Sequence, residues 1–149
     1  MTEKIITIEK HVYVAEDGTE FYDEVQCKQY EKRLQQKQEE EKALKKAKEL
    51  EITELDEVMP LDDNGYPNDN WYFKWYKLNS VEDFQIIEKA YNESFSKPEE
   101  YPVIMCVESE ALYEGGSAYN YLLPDIMRDT KLFFDKFGYD VKFKKVKEN

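Results

Sequence analysis

Residues 71–78 read WYFKWYKL, and this stretch decides the fold. Aromatic residues alternating in this way suit a pleated strand, with Tyr72, Lys74 and Tyr76 on one face and Trp71, Phe73 and Trp75 on the other. Just beyond it, Ser80 stands as a helix N-cap with Asp83 three positions on, and Val81, Phe84, Ile87, Tyr91 and Phe95 recur at helical spacing. Residues 102–108 (PVIMCVE) form an uninterrupted apolar run, the mark of a central strand covered on both faces. Gly115 and Gly116 then break the chain. A second helical region is expected from near Ser117, interrupted or restarted at Pro124 and ending at Phe137 before Gly138. Its Ile126, Met127, Phe133, Phe134 and Phe137 are expected to face the sheet. Tyr139, Val141 and Phe143 alternate with Asp140, Lys142 and Lys144, which predicts a last strand. Residues 70–149 thus read as a compact β-α-β-α-β body with helices on a small sheet.

On the N-terminal side of this body the composition changes sharply. Residues 51–71 hold seven acids (Glu51, Glu54, Asp56, Glu57, Asp62, Asp63 and Asp69) and no base, with turn signals at 62–65 and 66–67. Residues 51–69 are therefore expected to be an acidic linker. Before it, no Pro or Gly occurs between Gly18 and Pro60, and Asp23 with Gln26 in the capping-box position predicts a helix over 24–50. Residues 35–42 (QQKQEEEK) have no apolar face. At 1.5 Å per residue the helix would reach about 40 Å, longer than a small domain needs to cover its core. Such a helix projects, bridges or pairs with a second copy, and pairs such as Glu41 with Lys45 also suit a single solvated helix. Residues 4–15 (KIITIEKHVYVA) are rich in β-branched side chains, Asp17-Gly18 is a tight-turn signal, and residues 20–22 can pair back. The expected fold is α+β: a β-hairpin and long polar helix over 1–50, the linker, and the body.

Charge narrows the function. The 149 residues carry a formal net charge of -12, a field that repels DNA, RNA and anionic lipid and attracts basic protein surfaces. No apolar run approaches the roughly 20 residues that cross a bilayer. Cys27 and Cys106 lack disulfide spacing, and residues 1–20 do not read as a signal peptide, so the cytoplasm is the expected compartment. His11 is the only histidine, which leaves no His-pair metal site, Ser-His-Asp triad or Cys-His dyad of the ordinary kind. Gly115-Gly116-Ser117 lacks the lysine and glycine spacing of a phosphate loop. With Gly65 in the sixth position of a calcium loop, Pro60 and Trp71 would be the end ligands, so that pattern fails. Glu108 and Glu110 resemble half of a nuclease metal site, but no lysine follows them at the usual short spacing. Neither catalysis nor a cofactor is expected.

What the sequence does offer is acids interleaved with tyrosines: Glu16-Asp17 with Phe21-Tyr22-Asp23, Asp62-Asp63 with Tyr66, Asp69 with Tyr72, and residues 108–114 with Tyr113 and Tyr119. Carboxylates can occupy the places of phosphates, and tyrosines add contact area at small entropic cost. The same pattern also suits core tyrosines inside a solvated acidic rim. Residues 11–31 (HVYVAEDGTEFYDEVQCKQYE) resemble a segment at the start of small proteins encoded by phages and mobile elements of Gram-positive bacteria. The resemblance covers about a seventh of the chain and implies a hairpin-helix module in a phage-type setting. Small acidic phage proteins include inhibitors of host nucleases, the anti-CRISPR and anti-restriction proteins among them. The expected function is a protein-binding inhibitor or modulator of a basic host nucleic-acid enzyme, working in the host cytoplasm. Asp62, Asp63, Asp69, Glu108, Glu110 and Glu114 are the candidate charges, with Tyr66 and Tyr113 as anchors. The alternative is a scaffold or homodimer formed through the long helix.

Overall fold

The computed structural model describes residues 1–56, 58, 71–113 and 116–147. They form two compact units, 1–42 and 43–149, so the division falls within the long helix and not in the acidic segment. Most of the expected linker (57 and 59–69) lies outside the described residues.

In the first unit β1 (Tyr13–Val14) pairs antiparallel with β2 (Glu20–Phe21), Tyr13 opposite Phe21 and Val14 opposite Glu20. The turn requires a glycine: Gly18 sits at φ +90°, its N–H donates to the Ala15 carbonyl at 2.9 Å, and the Ala15 N–H donates to the Thr19 carbonyl at 2.8 Å. The ladder is shorter than the β-branched run of 4–15 suggests. Only residues 20–22 precede the helix cap, so the rest of that run finds no partner, and Ile5, Ile6 and Ile8 stay exposed. Asp23 starts α1 (Glu24–Leu50), its Oδ1 accepting from the N–H groups of Val25 at 2.7 Å and Gln26 at 3.1 Å. Ala15 and Cys27 are buried, and the Phe21 and Tyr30 rings lie 5.1 Å apart. Residues 35–42 are exposed on every side, as their composition requires.

The second unit is built on a three-stranded antiparallel sheet in the order β3 (Tyr72–Leu78), β4 (Val103–Ser109), β5 (Ala118–Leu122). The apolar strand β4 is central, as read from its sequence. Ser80 caps α2 (Val81–Tyr91), accepting from the Asp83 N–H at 3.3 Å, and Asn92 closes it in the left-handed region. The core joins Phe84, Ile87 and Tyr91 of α2 to Tyr76, Leu78, Val103, Met105, Val107 and Leu122 of the sheet, with Ala47 and Leu50 from the end of α1. Burying each such aliphatic side chain contributes about 1.5–3 kcal/mol. The outer edge of β3 is taken by the chain just after α1, where the Ile52 N–H donates to the Trp75 carbonyl at 2.8 Å.

The α+β class and the three-strand, two-helix body stand, but the order of the last elements differs from expectation. The third strand is residues 118–122, giving β-α-β-β-α. Tyr119 and Tyr121 alternate with Ala118, Asn120 and Leu122, and the helix α3 (Leu123–Asp135) begins only where Pro124 sits in its first turn. Tyr139, Val141 and Phe143 form no strand despite their alternation, since a period of two makes a ladder only beside a partner edge. α3 packs on β4 and β5 through its first turns, with Ile126, Met127 and Thr130 half-buried. Contrary to expectation, Phe133, Phe134 and Phe137 do not face the sheet. They are exposed and pack on one another, Phe133 lying 5.3 Å from each of the other two rings.

Candidate functional site

Of the residues singled out by sequence, Asp62, Asp63, Tyr66, Asp69 and Glu114 lie outside the described residues. The other three take separate roles. Glu108 is on β4 and only 6% exposed, its carboxylate accepting from the Tyr121 hydroxyl at 2.9 Å. It is a buried sheet residue and not an outward charge. Glu110 is exposed but closes the turn into β5: its N–H donates to the Ser117 carbonyl at 3.0 Å and its Oε2 accepts from the Ser117 N–H at 3.2 Å. Gly116 in that turn sits at φ +94°, a conformation that favours glycine, and a Cβ there would press on Glu110 Oε2 at 3.2 Å.

Tyr113 is half-buried and points inward, which removes it as an outward anchor. Its hydroxyl lies 2.6 Å from that of Tyr76, which lies 2.8 Å from that of Tyr91, and Tyr113 itself donates to the Glu51 carboxylate. Each hydroxyl owns one proton. Once Tyr113 gives its proton to Glu51, Tyr76 must donate to Tyr113 and Tyr91 to Tyr76, so a single directed chain of hydrogen bonds crosses the core. Lys74 balances the end of the chain, 3.7 Å from Glu51 and 3.0 Å from Asp56. Burial pushes the hydroxyls of Tyr76, Tyr91 and Tyr113 well above their ordinary 10.0. Tyr113 holds a left-handed φ of 62°, a conformation that costs energy for a side-chain-bearing residue and that its hydrogen bonds to Tyr76 and Glu51 help to hold.

The outward-facing combination of acid and aromatic is on the hairpin of the first unit. Because β1 and β2 alternate, Tyr13 and Phe21 turn toward Tyr30, while Val14 and Glu20 stand opposite each other on the outer face. Tyr22 is 76% exposed and Val14 58%, and Val25 in the first turn of α1 is 61% exposed. The same stretch holds Glu16, Asp17, Glu20, Asp23 and Glu24, with no Lys or Arg between His11 and Cys27. Lys28 pairs with Glu24 at 2.7 Å on an exposed stretch of the helix. The Tyr30 hydroxyl donates to Asp17 Oδ2 at 2.7 Å and the Thr19 N–H to Oδ1 at 3.0 Å, and these bonds hold the Asp17 carboxyl below its ordinary value. Asp23 is fixed by its cap. The segment thus combines exposed apolar side chains with five carboxylates on a backbone pinned by its own turn and cap.

The signal for this face was in the sequence, in the run from Glu16 to Asp23, but so was the same signal at 108–114, where it belongs to the core. Among the described residues, no group of three His, Cys, Asp or Glu side chains is placed to hold a metal ion. No described helix is long and apolar enough to cross a membrane. Compared with models of protein families, with curated proteins and with solved structures, the chain shows no significant match.

Proposed function

We propose that the protein is a binding module whose acidic hairpin docks on a basic surface of another protein, and that its preferred partner class is a nucleic-acid-handling enzyme. The observation that carries this reading is the exposure of Tyr22, Val14 and Val25 in one short segment that also holds five carboxylates and no Lys or Arg. An interface needs apolar side chains to desolvate and charges that steer encounter, and the residue types exposed in this segment suit both needs. The net charge of -12 adds long-range attraction toward a basic groove. The inhibitory, phage-type setting rests on the resemblance carried by residues 11–31, the same segment that builds the hairpin. The second reading, pairing through the long helix, gains no support from residues 35–42, which present no apolar stripe.

The test compares wild type with the quadruple variant E16Q/E20Q/Y22A/E24Q, both immobilised, in capture from a bacterial lysate at low and moderate salt. A basic nucleic-acid-binding protein retained by wild type, lost as salt rises and absent from the variant is the expected result. Equal retention by the variant overturns the reading. Asp17 and Asp23 are left in place because they hold the turn and the helix cap, so circular dichroism should show an unchanged fold.

A further inference from the structure

A second feature, entirely within the 43–149 unit, has a different chemistry. Between α3, the start of β4 and the chain at 143–145 lies an open pocket of about 700 Å³, within the size range of small-molecule sites. Its walls are apolar, formed among others by Ile104, Ile126, Met127 and Phe143, and Lys144 and Lys145 stand at it. Lys77 also reaches the lining. The one hydroxyl there, on Thr130, is committed to the Ile126 carbonyl at 2.7 Å. The walls therefore select for a body without polar groups, and charge is offered only by lysines. Among the described residues neither Lys144 nor Lys145 has a carboxylate partner, whereas the nearby Lys131 and Lys142 are both engaged by Asp140.

We propose that this pocket binds an aliphatic carboxylate, with its chain on Ile104, Ile126, Met127 and Phe143 and its headgroup at the ammonium groups of Lys144 and Lys145. The charge complementarity runs against the charge of the whole molecule. A chain of net charge -12 attracts amphiphilic cations and repels amphiphilic anions wherever its general field dominates. A preference for the anion is therefore the signature of this site and not of adsorption to the surface. The proposal is independent of the hairpin, which lies in the other unit.

Titration calorimetry on the full chain, with hexanoate, octanoate and decanoate below their micellar concentrations, tests it. Burial of the chain should raise affinity about fourfold for each added methylene, and decanoate should bind at least about tenfold more tightly than decyltrimethylammonium, a margin of about one headgroup pairing. The double variant K144Q/K145Q should weaken decanoate about fivefold to tenfold while leaving decanol unchanged. Met127→Glu, which places a carboxylate in the wall, should abolish decanoate binding with the circular dichroism spectrum retained. Absence of saturable decanoate binding to wild type overturns the proposal, as does a preference for the cation or an anion preference that survives K144Q/K145Q.

Discussion

Two pairs of tyrosine and carboxylate, one in each unit, share a chemistry and behave in opposite ways. On the hairpin, Tyr30 donates to Asp17 at the surface, where water competes, and the bond serves to keep a charge outward and ionised. In the sheet body, Tyr113 donates to Glu51 at the end of a buried chain through Tyr76 and Tyr91, and the bonds satisfy hydroxyls that have no water. The difference is one of support. The hairpin has a two-pair ladder, a glycine turn and a cap, and its apolar side chains Tyr22 and Val14 remain outside. The body has a sheet face roofed by α2, and Tyr76, Tyr91 and Tyr113 carry their hydroxyls into its core. Acid beside tyrosine therefore stays at the surface only where too few elements are present to bury it.

The comparison breaks most visibly at Tyr76. Replacing it by alanine opens a cavity in the fully buried centre of the sheet, and chemical denaturation should register a loss of about 3–5 kcal/mol. Raising the pH attacks the same place. The three buried hydroxyls have folded-state values above the ordinary 10.0, so above about pH 10 the unfolded chain releases protons that the folded chain retains. Stability is then fully present below that range and falls as pH rises, by about 1.4 kcal/mol per pH unit for each hydroxyl concerned. Denaturation midpoints between pH 9 and 11 should decline steeply, and a flat profile would show that the hydroxyls are not buried as a group.

Smaller changes sharpen the contrast. Tyr76→Phe keeps the ring but leaves the Tyr91 hydroxyl without its acceptor and Tyr113 without its donor, which should cost about 1–2 kcal/mol and make the alkaline decline shallower. On the hairpin, Asp23→Ala removes the acceptor for two N–H groups of α1 and should cost about 1 kcal/mol, read as a lower denaturation midpoint with helix content largely kept. Tyr30→Phe is expected to be the mildest. Its effect is a rise of the Asp17 carboxyl toward its ordinary value, followed by NMR titration, because the hydrogen bond from Tyr30 is the main cause of the depression. The depressed carboxyl favours the folded hairpin above the carboxylate range, and that contribution disappears as pH falls through it.

Much of the architecture was legible because it rests on short-range chemistry. The Asp17-Gly18 turn, the caps at Asp23 and Ser80, the apolar run of β4 and the charged stretch 35–42 each state their conformation within a few residues. The failures share a cause. Residues 118–122 and 139–144 both alternate, and only the first lies beside β4, so sequence period alone could not choose between them. Phe133, Phe134 and Phe137 were assigned to the sheet by hydrophobicity, but the last turns of α3 leave them exposed. For the candidate site, Glu108 and Tyr113 had the right composition but are drawn into the sheet body, whereas the run from Glu16 to Asp23 stays largely exposed.

By itself the sequence determined the α+β class, the order hairpin, long polar helix, sheet body, and the acidic character that favours a basic partner. These follow from periodicity, capping and net charge, which need no knowledge of distant contacts. The tertiary structure alone decided which of two alternating segments became the third strand, which tyrosines gave their hydroxyls to the core, and which aromatics stayed outside among carboxylates. Those outcomes depend on which element covers which face, and burial, being set by neighbours far apart in the chain, is not written into any one stretch of it.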